Sequence, residues 1–308
     1  MLVHGISMVR NEADIIRLNV LYHLSLGLDR LTIVDNGSTD GTDTVLQQLS
    51  DKDPRVRWRH DDGPFHKYQV MTDLARGAFR ESADWVVPID ADEFWYAPGG
   101  NFREVLKNSR AGALVAPTVN FIQRRSQRKS SPDALLHMTR RAASPIPRSQ
   151  DLVETRQIAF VEKLYRPKCV CRPSAEIEIE VGHHKVFGAN GPVEHTEELV
   201  CLHAPIRSRA ALEERVRTAN RPTEAGRKRG QGRYRRTYLA RFEGESDIEQ
   251  EWEANSYRGN YLDVYGQRHR VVFDSRLREA VAPFIPLPFW KKLYWRLEGM
   301  SRGRRRKH

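Results

Sequence analysis

From residue 2 to residue 95 the chain alternates short apolar runs with segments of helical spacing, and this alternation constrains the fold more than any other feature. Leu2–Val9, Leu31–Val34, Val56–Arg59 and Trp85–Ile89 read as strands. Between them, Ile15, Ile16, Val20, Leu21 and Leu24 recur at helical spacing until Gly27 stops them. Val45, Leu46 and Leu49 mark a second helix and Tyr68–Phe79 a third. Strands joined by helices form a parallel sheet, because right-handed crossovers return each strand in the same direction and lay the helices on both faces. Such sheets gather ligands beyond the carboxyl ends of their strands.

Three polar clusters fall at those ends: Arg10-Asn11-Glu12, Asp35-Asn36 and Asp90-Ala91-Asp92. Asn11 is expected to cap the first helix, with Glu12 and Asp14 in its positive first turn. The turn from Asp35 to Thr42 holds Gly37, Gly41 and several cap formers. Within it, Asp40 and Thr42 read as caps of the second helix rather than as ligands. The third cluster is the sharpest. On an extended chain Asp90 and Asp92 project to one side, where like charges raise each other's pKa unless a cation sits between them. Hard oxygen ligands so close suit Mg2+ or Mn2+. A solvated acidic turn is the bland alternative for a lone Asp-x-Asp, and the two companion clusters on the same rim weigh against it.

Val9-Arg10-Asn11-Glu12-Ala13, the stretch Val34 to Thr42 and Asp90-Ala91-Asp92-Glu93-Phe94 together resemble the family 2-type glycosyltransferases, in the Asp-x-Asp-Glu-Phe branch similar to family 92 enzymes. Residues 1–120 carry most of the match. Lys163…Arg166-Pro167, Gly182-His183 and Leu202-His203…Arg207-Ser208 are similar to the C-terminal signature of that branch. The resemblance implies an α/β, GT-A-type nucleotide-diphospho-sugar transferase fold: a mostly parallel central sheet flanked by helices, with a helical C-terminal extension. It implies that Arg10, Asn11, Glu12, Asp35 and Asp90 bind the nucleotide sugar, Asp35 at the base and Asp90 at the ribose or a metal-bound water. Asp92 would ligate Mn2+ or Mg2+ bridging the phosphates, with Asp90 and the downstream His203 completing the metal set. His183 would contact acceptor or pyrophosphate. Asn36 stands where many relatives have Asp, which leaves the base open. An inverting transfer needs a base for the acceptor hydroxyl, which relatives take from Asp or Glu of the C-terminal half. Of Asp151, Glu154 and Glu162, we expect Glu162, on an expected strand Ile158–Tyr165 just ahead of Lys163.

The resemblance implies a donor half (1–120) and an acceptor half (121–220), and a basic, mainly helical extension (221–308) is expected to follow. Asn101 and Glu104 read as a capping box, and Ala113–Phe121 as a strand returning to the sheet. Gln123–Gln150 has no sustained period and reads as a mobile loop, its Arg124, Arg125, Arg128 and Lys129 either holding phosphates or simply solvated. Cys169, Cys171, Cys201 and His203 offer an alternative zinc set, although their one-residue spacing equally suits a buried strand face. Ser208 is expected to cap a helix reaching about Ala219. Trp252, Tyr257 and Tyr261 read as packing. Residues 215–236 suggest a helix end, a flexible basic loop and a new helix near Tyr234. Near the end, Trp290, Leu293, Tyr294 and Leu297 share a helical face, with Lys291, Lys292 and Arg296 largely away from it. With the basic run Arg302–Lys307, this stretch (287–307) either lies on an anionic membrane or docks back on the domain.

A formal net charge of +11 points to an anionic partner. No apolar run reaches bilayer length. Met1 directly precedes the first strand, so neither a preceding domain nor a secretory leader is expected. Three cysteines suit a reducing compartment. The location implied is cytoplasmic, peripheral on the inner face of the plasma membrane under the membrane reading. The expected function is metal-dependent, inverting transfer from a nucleotide sugar, first a UDP-sugar, to a glycan, lipid-linked or other hydroxyl acceptor. A role in polysaccharide biosynthesis follows from the family alone. A nucleotidyltransferase would carry a glycine- and arginine-rich phosphate loop where Arg10-Asn11-Glu12 stands. A nucleic-acid-binding protein would leave Asp35, Asp90 and Asp92 unexplained beside phosphates.

Overall fold

The computed structural model of the protein describes residues 1–147, 149–217, 219, 238–242 and 244–286. Most of the expected basic stretch 215–236, and the whole of 287–307, lie outside the described residues.

Four strands form the expected parallel core: β1 (Val3–Val9), β2 (Arg30–Asp35), β3 (Val56–His60) and β4 (Trp85–Ile89), in the spatial order β4-β1-β2-β3. Helices α1 (Ile16–Ser25), α2 (Thr42–Ser50) and α3 (Lys67–Arg80) make the crossovers. The period of two is visible in the packing. Trp85, Val87 and Ile89 of β4 enter one apolar cluster with residues of α1 and α2, and Val86 enters another with Val70, Met71, Ala75 and Ala78 of α3. The sheet continues past β4 through Lys168–Cys171, antiparallel to β4, then Ala113–Ala116 and Val193–His195.

Several local expectations change. Asn11 does not cap α1: it takes a left-handed φ of +53°, which asparagine tolerates. A turn closed on the Glu12 carbonyl intervenes before Ile16. Ala113–Phe121 is not one strand. Pro117 interrupts it, and Thr118–Asn120 leaves for a three-stranded sheet made with Glu93–Tyr96 and Val200–His203. Proline has no amide donor for a ladder, so a strand breaks there cheaply.

Residues 123–150 are not a loose loop. Gln123–Arg124 and Arg140–Ala142 are the outer strands of a five-stranded sheet whose centre is Ser256–Arg258, Tyr261–Val264 and Gln267–Phe273. Arg125 donates to the Glu253 carbonyl at 2.6 Å and Arg128 pairs with Glu249 at 2.7 Å, so both are spent on the helix Glu245–Ala254. The extension therefore carries strands as well as helices. Residues 158–165 hold a 3-10 turn, Phe160–Glu162, instead of a strand. Trp252 is fully buried, as the packing reading expects, whereas Tyr261 is 47% exposed and does not pack as expected. Glu104 N–H donates to Asn101 Oδ1 at 3.1 Å, and Ala211 N–H to Ser208 Oγ at 3.0 Å, so both caps form. Cys169 and Cys171 lie in the cluster under α3 and Cys201 in the opposite one, so no zinc set assembles among the described residues.

Candidate active site

The site begins where β4 ends. Residues 90–93 close a turn, with Glu93 N–H donating to the Asp90 carbonyl at 3.0 Å, and the chain then enters Glu93–Tyr96 (β5). Asp90 and Asp92 thus do not share one face of an extended segment. β5 pairs with Val200–His203, and that strand pairs with Thr118–Asn120, in registers that set His203 opposite both Glu93 and Asn120. Asn120 donates its amide to the Lys163 carbonyl at 3.2 Å, which turns its Oδ1 to accept from His203 Nδ1 at 2.8 Å. Nε2 of His203 is left facing Asp92, 3.6 Å from Oδ2. Ligand-capable atoms of Asp92, Glu93 and His203 lie within 4.8 Å of one another. Among the described residues, Glu93 Oε2 is buried without a hydrogen-bond partner.

The two aspartates are treated differently. Asp90 receives Lys67, His183 Nε2 at 3.0 Å and Lys168 Nζ at 3.6 Å. Burial opposes its ionisation, yet Lys67, His183 and Lys168 together hold the carboxyl well below the usual range. Lys168, itself buried, also pairs with Glu93. Asp92 is likewise buried, and His203 and Arg215 outweigh the burial and keep it ionised. Arg215 Nη2 stands 2.6 Å from Asp92 Oδ2. His183 is fully buried behind Asp90 at φ +55°, next to Gly182 at +82°.

Helix α1 supports this loop from below. The amide of Asn19 donates to the carbonyls of Ala91 at 3.0 Å and Glu93 at 2.9 Å, with that of Asp90 at 3.3 Å. Tyr22 donates its hydroxyl to the Trp95 carbonyl at 2.6 Å, and Trp95 N–H donates to His23 Nε2 at 3.3 Å. These residues were invisible to a search for apolar period. The available signal was a polar pair, Asn19 and His23, four apart on a helix that the pattern buries.

A cavity of about 690 Å³ opens over the loop. Arg10, Asn11 and Glu12 line it from the end of β1, together with Lys67, Asp90 and Asp92. Tyr165, His203, Arg207, Glu214 and Arg215 face them from the later chain. Arg207 is buried and joins Glu12 at 2.5 Å to Asp14 at 2.8 Å. Burial pushes the Glu12 carboxyl up to about 7 against the pull of Arg207. The turn after β2 is stitched to the loop after β1. Glu12 N–H donates to Thr42 Oγ1 at 2.8 Å, Ala13 N–H to Asp40 Oδ2 at 3.0 Å, and Thr39 N–H to Asn11 Oδ1 at 2.8 Å.

Asp35 is fully buried under this turn, accepting from Ser38 and facing His60 Nδ1 at 2.9 Å. Asn36 donates to the carbonyls of Asp61 at 3.2 Å and Gly63 at 3.0 Å. Aspartate has no N–H to make those bonds, which accounts for asparagine at this position.

The structure therefore brings Arg10, Asn11, Glu12, Asp90, Asp92 and His203 to one cavity, with His183 behind Asp90. The carboxylate that joins Asp92 and His203 is Glu93, whereas Asp90 is occupied by lysines and His183. Glu162 is elsewhere. Its Oε2 accepts from Ala159 N–H at 2.8 Å, its Oε1 lies 2.8 Å from His269 Nδ1, and it does not line the cavity. It caps the 3-10 turn that replaces the expected strand, and this capping turns the carboxylate inward.

A mostly parallel sheet with helices on both faces, and carboxylates gathered at its carboxyl rim over a cavity, defines the GT-A-type nucleotide-diphospho-sugar transferase class. The model of the family Glycosyl transferase family 2 matches residues 7–160, half of the chain. The chain belongs to that family. It is 36% identical over 108 residues to a glycosyltransferase family 92 protein of Oryza sativa subsp. japonica, covering 33% of this chain and 18% of that protein. It is 36% identical over 114 residues to a family 92 protein of Ricinus communis, covering 36% of this chain and 20% of that one. The chain thus spans about a fifth of the length of these curated relatives. Among solved structures it is similar to the mannosyltransferase PcManGT of Pyrobaculum calidifontis in complex with GDP-Man and Mn2+, at 16% identity and TM-score 0.38 over 71% of this chain and 61% of that one. It is also similar to S. aureus TarS, at 10% identity and TM-score 0.41 over 83% and 44%. No helix among the described residues is long and apolar enough to cross a membrane.

Proposed function

We propose that this protein transfers a sugar from a nucleoside-diphosphate donor, a UDP-sugar first, to a hydroxyl acceptor, and that it does so with Mn2+ or Mg2+ held by Asp92, Glu93 and His203. The observation that carries the metal is the cluster itself. Two hard carboxylates and an imidazole turned through its Nε2 suit such an ion, and Glu93, whose Oε1 pairs with Lys168, keeps its buried Oε2 without a donor among the described residues. When bound, the ion would neutralise the charge that builds on the leaving diphosphate.

The chain's own residues do the rest. Arg10, Lys67 and Arg215 line the cavity and are the cations that a diphosphate could meet there. Asn11 and Glu12, pinned to the turn after β2, shape the donor side. In the transfer the bond from the anomeric carbon to the diphosphate oxygen breaks with its electron pair leaving on the diphosphate. The acceptor oxygen bonds that carbon from the opposite face and its proton passes to a carboxylate. Besides Asp90, Asp92 and Glu93, the carboxylates that border the cavity are Glu12, Asp14, Asp40 and Glu214, so the base is sought among these rather than at Glu162. Inversion, a division into donor half 1–120 and acceptor half 121–220, and a lipid-linked or glycan acceptor rest on family resemblance. Inner-membrane attachment through 287–307 rests on the sequence of that stretch alone.

The test is a thermal-shift panel of nucleoside diphosphates, triphosphates and nucleotide sugars, each with and without Mn2+, followed by turnover of wild type and Asp92→Ala. A diphosphate-sugar should give the largest Mn2+-dependent shift, and Asp92→Ala should lose transfer by about a hundredfold or more while staying folded. An Asp92→Ala protein with full metal-dependent transfer would sink the reading. A triphosphate as best ligand would favour nucleotidyl transfer instead.

A further inference from the structure

Arg215 stands on the oxygen that a cation at this cluster needs. Its guanidinium is 2.6 Å from Asp92 Oδ2, and His203 Nε2 approaches the same atom at 3.6 Å. A divalent ion ligated by Asp92 and His203 would meet the guanidinium at close range, and like charges so near repel strongly in a partly buried site.

The helix that carries Arg215, Arg209–Arg217, is fastened along its length. Ser208 caps it, Arg209 reaches Glu249 at 2.8 Å and also pairs with Glu245, and Asn11 donates to Glu214 at 2.8 Å. The side chain of Arg215 is 26% exposed, borders the cavity and, among the described residues, is ion-paired with Asp92. The backbone is therefore held while the long side chain can turn. Lys168, at 2% exposed between Asp90 and Glu93, has no such freedom. The same cavity is also lined by Arg10, Lys67 and Arg217, of which Lys67 pairs with Asp90 and Arg217 with Glu214. A guanidinium presents a planar fork that matches phosphate oxygens.

We propose that Arg215 and the divalent cation are alternative partners of Asp92, and that the arginine, once displaced, closes on the donor diphosphate. This rests on the functional reading above. It requires opposite effects from one substitution, because removing the guanidinium removes a competitor of the metal and a ligand of the diphosphate together.

The experiment measures Mn2+ binding without nucleotide, by the paramagnetic resonance of free Mn2+, and UDP binding at saturating Mn2+ by calorimetry. Wild type, Arg215→Ala and Arg215→Lys are compared, each with its thermal midpoint checked. Arg215→Ala should bind Mn2+ several-fold more tightly and UDP about tenfold more weakly, and Arg215→Lys should lie between it and wild type in both. Weaker binding of both ligands in Arg215→Ala and Arg215→Lys alike would make Arg215 a support of the site's shape and overturn the exchange. Unchanged binding of both would also overturn it, with the metal reading left standing. Wild type binding neither Mn2+ nor UDP with Mn2+ would overturn the functional reading and the exchange together.

Discussion

The rim of the main sheet and the five-stranded lobe both bury carboxylates, but they satisfy them differently. In the lobe, Glu251 receives Tyr265 at 2.6 Å, Tyr238 at 2.9 Å and Asn255 at 2.8 Å, and Glu162 receives a backbone amide and His269. Those donors are short or fixed, and they saturate the oxygens. At the rim, Asp92 faces a long cation that borders open space, and Glu93, paired with Lys168 through one oxygen, keeps the other without a donor among the described residues. A saturated buried carboxylate stabilises a fold. One left partly open beside a cavity, next to cations that can move, is equipped for ligands.

The largest effect expected from this contrast is on stability in the lobe. Glu251→Ala strands two phenols and an amide, and should cost about 3 kcal/mol in urea unfolding while the folded fraction keeps its turnover. The milder Glu162→Gln should cost about 1 kcal/mol, with turnover within about twofold of wild type. A collapse of turnover in Glu162→Gln like that of Asp92→Ala would break the contrast and make Glu162 the base.

At the rim, Asn19→Ala removes the amide that holds three carbonyls of the 90–93 loop. It should cost about 2 kcal/mol and raise the Mn2+ requirement about tenfold, with kcat at saturating Mn2+ nearly unchanged. Lost stability with an unaltered Mn2+ titration would reduce Asn19 to a brace. The smallest effect concerns pH. Burial raises the Glu12 carboxyl from 4.5 to about 7, so the folded chain holds a proton that the unfolded chain has released. Its contribution to stability is therefore full below about 4.5 and is lost as pH rises through about 7. Glu12→Gln, always neutral, should gain in thermal midpoint relative to wild type between pH 5 and pH 8. A difference that stays flat with pH would show that Glu12 is already ionised in the fold.

Much of the rim was legible beforehand. Each of its strands is a local apolar run, and each polar cluster follows its strand directly, so period and turn chemistry suffice. Asn101 and Ser208 were readable as caps for the same reason. Residues 113–121 form one apolar run in sequence, and the break at Pro117 that divides two sheets shows only in the pairing of Ala113–Ala116 and Thr118–Asn120. The segment 123–150 looked structureless because its strands are two and three residues long and are completed by partners beyond residue 255. Glu162 was misplaced by assigning a strand to residues that cap a turn.

The amino-acid order alone determined that a parallel sheet would form and that Arg10, Asp35, Asp90 and Asp92 would stand at its carboxyl ends, because strand period and crossover handedness are properties of neighbouring residues. Only the tertiary structure decided which charges each aspartate meets, Lys67, Lys168 and His183 at Asp90 and His203 and Arg215 at Asp92. Lys168, His183, His203 and Arg215 lie 75 or more residues further along the chain, and what a carboxylate does depends on the charges packed against it in space.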